Sequence, residues 1–275
     1  MNYILLLCDL RDLRGENWSF MNEREPFIGI RNLRKIYPTK TGEVCALQDV
    51  TFDVFRGEFI TLVGPSGCGK TTLLKIISGL LTKTDGDLTF SAKGDFDPTR
   101  QVGMVFQKPV LLKWRSIVDN VLLPVEILKL NRQSYVPKAM QLLDLVGLKG
   151  FEKSYPNELS GGMQQRASIS RALIHDPQLL LMDEPFGALD ALTREKMNLE
   201  ILRIWQETQK TILFVTHGIQ EAVFLADRVV VLSARPARMV KAIEVNLPRP
   251  RTIEVKAEKE FGKLCLEIYR LLEDK

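Results

Sequence analysis

The sequence predicts an α/β fold in which a sheet is interrupted by an inserted helical segment. Nine short β-rich runs alternate with segments whose apolar residues recur at helical spacing, and this alternation is typical of α/β proteins. Residues 116–175 are almost entirely helical in pattern, which predicts a helical subdomain over about 108–175. The predicted strands are 27–33, 44–54, 58–63, 87–91, 101–106, 178–183, 211–216, 228–233 and 240–246.

Composition limits the class of protein. A chain of 275 residues with 45% hydrophobic residues can bury the core of one large domain or two modest ones. The formal net charge of +4 neither demands nucleic acid nor excludes an anionic membrane surface. The four cysteines have no paired spacing, so neither a zinc site nor a disulfide framework is expected, and a reducing cytoplasm is the simpler interpretation. No apolar run reaches the roughly 18 residues of a membrane span.

The amino-terminal stretch lacks the positive region and the small-residue cleavage site of a signal peptide. Met21 stands just before the first strand pattern. Residues 1–20 are therefore either an amino-terminal extension or a stretch that is not translated, with Met21 as the true first residue. We expect residues 1–26 to be a disordered extension and residues 1–20 to carry no chemistry.

The stretch GPSGCGKTT, residues 64–72, follows an apolar strand and precedes a helical pattern. It fits G-x-x-x-x-G-K-[ST], in which backbone N–H groups surround phosphate oxygens, Lys70 reaches the β- and γ-phosphates and the Thr71 hydroxyl binds Mg²⁺. The alternative is a plain Gly-rich turn. The predicted nucleotide-binding residues are Gly64, Pro65, Ser66, Gly67, Cys68, Gly69, Lys70, Thr71 and Thr72.

The stretch PQLLLMDEP, residues 177–185, is an apolar strand that ends in two acids. Taken alone it could be a strand-ending turn. Beside a phosphate-binding loop, Asp183 is predicted to hold Mg²⁺ directly or through water, and Glu184 to polarise the attacking water.

A third stretch, LSGGMQQR at 159–166, combines a hydroxyl that can cap a helix with two glycines that let backbone N–H groups approach an anion. An ordinary capped helix would also fit. The three stretches in this order resemble the ATP-binding subunit of an ABC transporter, and the resemblance covers about residues 27–250. It implies a P-loop NTPase core sheet with an antiparallel β part, and ATP and Mg²⁺ as cofactors.

In that family the third stretch is a signature that binds the γ-phosphate held by a partner subunit. The resemblance therefore implies a head-to-tail pair with a second copy or a homologous ATPase subunit, in which two ATP molecules are enclosed. The signature residues are Ser160, Gly161, Gly162 and Met163, the last replacing a commoner Gln.

Four further positions match the family. Gln107 corresponds to the Q-loop residue that contacts Mg²⁺ or water, Asp190 to the D-loop, His217 to the switch histidine and Tyr37 to the aromatic residue that stacks on adenine. Each has a plainer interpretation, such as a polar strand end, a structural histidine or a core aromatic. The catalytic candidates are thus Glu184, His217 and Gln107, and the metal candidates are Thr71, Gln107 and Asp183. Gly218 departs from the pattern, because many relatives carry Asp there.

The family includes transport, DNA-repair and translation ATPases. The chain has neither the coiled coils or zinc cysteines of the repair class nor the second cassette of the translation class. The stretches FQKPVLLKWRSIVDNVLLPVEI and VVVLSARPARMVKAIEVNLPRPR resemble the nitrate, sulfonate and taurine importer group. Importers of other subfamilies, such as those for polyamines or molybdate, usually add a regulatory domain, for which the 25 residues after Pro250 are too few.

An importer of this kind implies permease subunits, a periplasmic or lipid-anchored solute-binding protein, no nucleic acid, and a place on the cytoplasmic face of the inner membrane. Residues 107–120 are the predicted docking groove for the permease, with Trp114 as its anchor unless that side chain packs inside the insert. Residues 251–275 are predicted to form a carboxy-terminal amphipathic helix that packs on its own domain.

Overall fold

The computed structural model describes residues 25–40, 42–91 and 96–273, so the predicted disorder of residues 1–26 lies almost entirely outside it. The strands are β1 (Ile28–Thr39), β2 (Gly42–Val54), β3 (Phe59–Val63), β4 (Asp85–Phe90), β5 (Val102–Val105), β6 (Leu179–Asp183), β7 (Thr211–Val215), β8 (Arg228–Leu232) and β9 (Met239–Glu244). The helices are α1 (Lys70–Ile77), α2 (Pro98–Gln101), α3 (Ile117–Ile127), α4 (Arg132–Leu145), α5 (Gly161–Leu173), α6 (Ala191–Thr208), α7 (Ile219–Leu225) and α8 (Lys259–Glu273). Two 3₁₀ helices cover Pro156–Glu158 and Ile253–Ala257.

The strands form two sheets. β2, β1 and β4 make an antiparallel sheet, and the second sheet has the order β5-β6-β7-β3-β8-β9. In this larger sheet the first five strands run parallel and β9 runs antiparallel to β8. The predicted α/β fold with an antiparallel part is confirmed.

Two predicted segments differ in extent. β1 continues to Thr39, beyond the predicted end at residue 33, because it pairs with β2 over its whole length through three register shifts. The stretch 116–175 is less helical than predicted: residues 146–155 lie outside any helix, and Gly147 and Gly150 have φ of +67° and +89°, which end α4 and turn the chain. Helices α3, α4 and α5, which lie between β5 and β6 in the chain, pack against one another.

The core lies on both faces of the parallel sheet. Every residue of β3 and β7 is buried, as parallel strands covered by helices require. One apolar cluster joins this sheet to α3, α5, α6 and α7 and takes in Phe261, Leu264 and Ile268 of α8. A second cluster joins the other face to α1 and the antiparallel sheet.

The stretch LPRPR, residues 247–251, fixes the end of α7. Arg251 is 4% exposed and donates to the carbonyls of Phe224 and Ala226 at 2.9 and 2.7 Å. Arg249 donates to Asp227 and to the carbonyl of Leu225. Burial lowers the pKa of Arg251 to about 10. These bonds satisfy the free carbonyls at a helix end and so set the position of α7.

Candidate nucleotide-binding site

The candidate residues meet at one edge of the larger sheet. The loop that starts at Gly64 follows β3, the two acids follow the apolar part of β6, His217 follows β7 and Gln107 follows β5. These four strands are neighbours and run parallel. Their carboxyl ends therefore lie together, which is where α/β sheets bind ligands.

The loop between β3 and α1 has a backbone that requires glycine. Gly67 and Gly69 have φ of +71° and +135°. A Cβ on Gly69 would lie 2.8 Å from the carbonyl oxygen of Ala46 and from the Leu47 side chain. Lys70, 4% exposed, donates to the carbonyls of Gly64 and Pro65 at 2.8 and 3.0 Å. The N-terminus of α1 and the Lys70 ammonium thus share one small space suited to phosphate.

Arg235, which was not among the predicted site residues, also contacts this loop. Its Nε and Nη2 donate to the Gly67 carbonyl at 3.1 and 2.6 Å. It lies in the turn between β8 and β9, and Ala237 of that turn exchanges hydrogen bonds with Ala46 and Gln48 of β2. The turn therefore braces the phosphate loop against the antiparallel sheet. In the sequence, this turn is marked only by the stretch SARPAR, residues 233–238.

Two metal candidates are in direct contact. The Thr71 hydroxyl donates to the Asp183 carboxylate at 3.0 Å. Burial raises the pKa of Asp183, and the hydrogen bond from Thr71 opposes this rise. The described residues contain no group of three or more His, Cys, Asp or Glu side chains able to hold a metal. Two oxygen ligands fit Mg²⁺, which is usually held by one or two carboxylates together with phosphates and water.

The catalytic candidates converge beside this pair. Glu184 has φ of +44° and its N–H donates to the carbonyl of Val215, which anchors it at the end of β7. Its Oε2 lies 3.4 Å from Nδ1 of His217. A Cβ on Gly187 would lie 3.5 Å from Nε2 of Gln107 and 3.8 Å from Oε2 of Glu184. The side chains of Gln107 and Glu184 therefore both lie close to Gly187.

Tyr37 lies on β1, next to the helix that follows the phosphate loop. Its hydroxyl is 3.3 Å from the Thr72 hydroxyl, and the ring is half-buried. The Lys35 ammonium is 5.2 Å from the ring centroid. A flat ring is therefore held beside the loop, where it could stack on a base.

The signature residues form a separate group. Ser160 caps α5, with its hydroxyl accepting from the Met163 N–H at 3.3 Å. A Cβ on Gly161 would meet nothing within 4 Å, while one on Gly162 would lie 3.2 Å from the side chain of Thr193. Asp190 caps α6 and accepts from the Thr193 N–H at 3.0 Å. Within the described ranges, no hydrogen bond joins the signature to the phosphate loop of the same chain.

The docking candidate Trp114 is 74% exposed, so the alternative that it packs inside the helical insert is wrong. Its loop is shaped by the fully buried Asn120, which the sequence analysis did not select. The Asn120 side chain accepts from the Leu112 N–H at 2.7 Å and donates to the carbonyls of Leu112, Arg115 and Ser116.

The signature helix is bonded to the segment after β5. Arg171 of α5 donates to the carbonyls of Pro109 and Val110 at 2.7 and 2.8 Å. Gln165 of α5 donates to the carbonyl of Phe106 at 3.2 Å. The Gln107 segment, the start of the docking loop and the signature helix are thus connected directly.

Residues 47–187, about half of the chain, match the family described as ABC transporter. The chain belongs to the ABC transporter family. It is an ATP-binding subunit of this family by its similarity to curated proteins over most of its length. It is 41% identical to the aliphatic sulfonates import ATP-binding protein of Bacillus cereus, over 87% of this chain and 94% of that protein. It is 47% identical to the taurine import ATP-binding protein of Pelagibacter ubique, over 79% and 82%.

The nitrate import ATP-binding protein of Synechocystis is 42% identical, over 88% of this chain and 94% of that protein. A solved dimeric structure of the ABC transporter cassette MJ0796 matches with a TM-score of 0.70 and 31% identity, over 80% of this chain and all of that one. A second structure of that cassette is a post-hydrolysis state bound to ADP and Pi. Among the described residues of the present chain, no helix has the length and apolar character needed to cross a membrane.

Proposed function

We propose that this chain hydrolyses ATP to drive an ABC importer for a small anion such as nitrate, a sulfonate or taurine. The observation that carries the proposal is the meeting of the phosphate loop, the Thr71–Asp183 pair and the Glu184–His217 pair at one sheet edge. The substrate class is supported by the sulfonate, taurine and nitrate import subunits among the relatives.

Each part of the site has a task in phosphoryl transfer. The loop N–H groups and Lys70 hold the β- and γ-phosphates of ATP, and Tyr37 stacks on the base. Thr71, Asp183 and Gln107 would hold Mg²⁺, which supplies neutralisation of the phosphate charge when bound. Glu184 polarises the attacking water, and His217 donates a hydrogen bond to the γ-phosphate.

The active unit is a head-to-tail pair of this chain with a second copy or a homologous subunit. Residues 160–163 contact the γ-phosphate held by the partner, with Asp190 near the partner's site. Three observations support this arrangement: the free space at Gly161, the absence of any hydrogen bond between the signature and its own loop in the described part of the chain, and the dimeric structure of the similar cassette. Closure of the pair around two ATP molecules, followed by hydrolysis and reopening, moves the membrane subunits.

The pair works at the cytoplasmic face of the cell membrane. The loop with Trp114 contacts a permease subunit, and a periplasmic or lipid-anchored binding protein delivers the solute. Residues 27–250 form the ATP-binding domain, with a helical subdomain at about 108–175, and residues 251–275 form a carboxy-terminal segment whose helix α8 packs on that domain. The exposure of Trp114, flanked by Lys113 and Arg115, supports the docking surface, since exposed aromatic and arginine side chains are frequent interface anchors.

The test is ATP turnover by the complex of this chain with its permease subunits in vesicles. Nitrate, taurine and an alkylsulfonate are each added with the binding protein encoded beside the permease. We expect one of these three solutes to raise turnover, with the Glu184→Gln complex as the matched control for background hydrolysis. If only a solute of another class raised turnover, the substrate proposal would be overturned. If the chain associated with no permease, the proposal that it drives an importer would be overturned.

A further inference from the structure

A second carboxyl group, Glu221, lies behind the Glu184–His217 pair and has no role in the mechanism above. It belongs to the first turn of α7, and its Oε2 accepts a hydrogen bond of 2.5 Å from the Thr216 hydroxyl. The same hydroxyl accepts from the Gly218 N–H at 2.9 Å. The residues on both sides of His217 are thus bonded to each other and, through Thr216, to Glu221.

Glu221 also faces the D-loop segment, residues 186–190. Arg194, in the first turn of α6, donates to the carbonyls of Phe186 and Leu189 at 3.3 and 2.9 Å. Burial raises the pKa of Glu221, while the hydrogen bond from Thr216 and the positive charge of Arg194 favour its ionised form. The carboxylate is bonded to the loop that carries His217, and among the described residues no hydrogen bond or ion pair joins it to Arg194.

These groups surround one small cavity. Glu184, His217, Thr216, Glu221 and Arg194 are among its lining residues. Its volume is about 20 Å³, which is room for about one water molecule and for no organic ligand. The side chains therefore face one another at close range, and a shift of Glu221 would be felt at the Glu184–His217 pair.

We propose that Glu221 is a positioning residue that holds His217 beside Glu184 through Thr216. The inference rests on the proposed function, because it gives Glu221 a task in the same hydrolysis. Glu221 touches no reacting atom and acts through its neighbours. A small misplacement of a catalytic group can cost up to about 10²-fold in rate, so this support has a measurable effect.

A purely structural role is the competing explanation. An acid in the first turn of a helix stabilises that helix, and Gly218 at the cap of α7 has no side chain to do so. Loss of helix stability would lower the melting temperature. Loss of positioning would lower kcat while leaving the KM for ATP and the melting temperature nearly unchanged.

The experiment compares Glu221→Ala, Glu221→Gln and Thr216→Val, each alone and combined with His217→Ala, in the full chain at concentrations where it pairs. We expect Glu221→Ala and Thr216→Val each to lower kcat by about tenfold, within the range of a misplaced catalytic group. Glu221→Gln should recover most of the rate, because its amide oxygen still accepts from Thr216. Gln220→Ala, at the exposed neighbouring position, is the control and should keep full turnover.

The combination with His217→Ala decides the question. If Glu221 acts through His217, Glu221→Ala should not lower kcat further in the His217→Ala background. If the two residues act independently, the two fold-losses in kcat should multiply. Multiplying losses, or full turnover of Glu221→Ala beside a slow His217→Ala, would overturn the inference and leave the proposed function intact. Normal turnover of His217→Ala would overturn the role of His217 and the inference with it. If Glu221→Ala does not fold, Thr216→Val and Glu221→Gln give the same decision.

Discussion

The Glu184 carboxylate and the His217 imidazole lie 3.4 Å apart, Oε2 to Nδ1, at the ends of two adjacent parallel strands. Glu184 occupies the left-handed region with φ of +44°, which is uncommon for a residue with a side chain. The register of β6 and β7 therefore brings the two side chains together. A longer or shorter side chain at either position would change the distance between the two groups.

The Glu184→Gln substitution keeps the shape of the side chain and removes the charge that is proposed to polarise water. We expect hydrolysis to fall by roughly 10²-fold or more, the scale of general acid–base catalysis, while ATP binding survives. Turnover is measured with the permease complex present and binding by titration of the isolated chain. Near-normal turnover would show that another group activates water.

The Lys70→Ala substitution should weaken nucleotide binding itself, because the ammonium is proposed to contact phosphate in the ground state as well as in the transition state. Loss of a hydrogen bond to a charged group costs about 1.5–3 kcal/mol, so ATP affinity should fall by about 10- to 100-fold. Lys83→Ala, at an exposed position, is the control. Unchanged affinity in calorimetric titration would mean that loop 64–72 is only a turn.

The Ser160→Arg substitution tests the pairing. The bulk of the arginine would fill the space proposed for the partner's γ-phosphate, so a single subunit should still bind ATP but ATP-driven dimers should disappear. The Glu184→Gln background, which retains ATP, is the proper setting, and Ser134→Arg on the exposed face of α4 is the matched control. Dimers that persist in light scattering would reject a role for the signature across the pair.

Truncation of Trp114 separates docking from folding. With 74% of the residue exposed, Trp114→Ala should change the free energy of unfolding by less than about 0.5 kcal/mol. Association with the permease subunits should weaken by about 2 kcal/mol or more if this side chain is an interface hot spot. Association is measured by pull-down at graded concentrations. A sharp fall in melting temperature would remove Trp114 from the docking surface.

Asn120→Ala should have the opposite profile. The buried amide makes four hydrogen bonds inside the docking loop, and its loss leaves backbone groups unpaired. We expect the free energy of unfolding to fall by about 2 kcal/mol or more, since each unsatisfied buried group costs about 1–3 kcal/mol. Urea denaturation measures this change, with the exposed Asn157→Ala as control. ATP affinity of the folded chain should not change.

The sequence was sufficient for the strands and for the motifs because both are local. Each predicted strand is a short apolar run with turn residues at its ends, and the structure has a strand at every one of them. The phosphate loop was equally visible, since Gly69 and Lys70 stand at fixed spacing. The continuation of β1 past residue 33 was missed because its outer half is exposed and held by pairing with β2, which leaves no apolar alternation.

The supporting residues were missed for a different reason. Arg235, Arg194 and Glu221 each act on a segment that is close in space without any spacing rule, and an arginine bonded to carbonyls has the same local sequence as an arginine in solvent. The partner of Arg235 becomes apparent only when β8 is known to lie beside β3 in the sheet. Arg194 and Glu221 bond to residues five to eight positions away in the chain, but no sequence pattern marks these pairs.

The bonds from Arg171 and Gln165 to the carbonyls of residues 106, 109 and 110 have a mechanical consequence. The loop with Trp114 is proposed to contact the permease, and the first turn of α5 is proposed to reach the other subunit's ATP. Because of these bonds, the loop and the helix would move together as one rigid unit. Force applied at the groove of one subunit would then be delivered to the nucleotide bound by its neighbour. Each half of the importer would thereby time the hydrolysis of the opposite half.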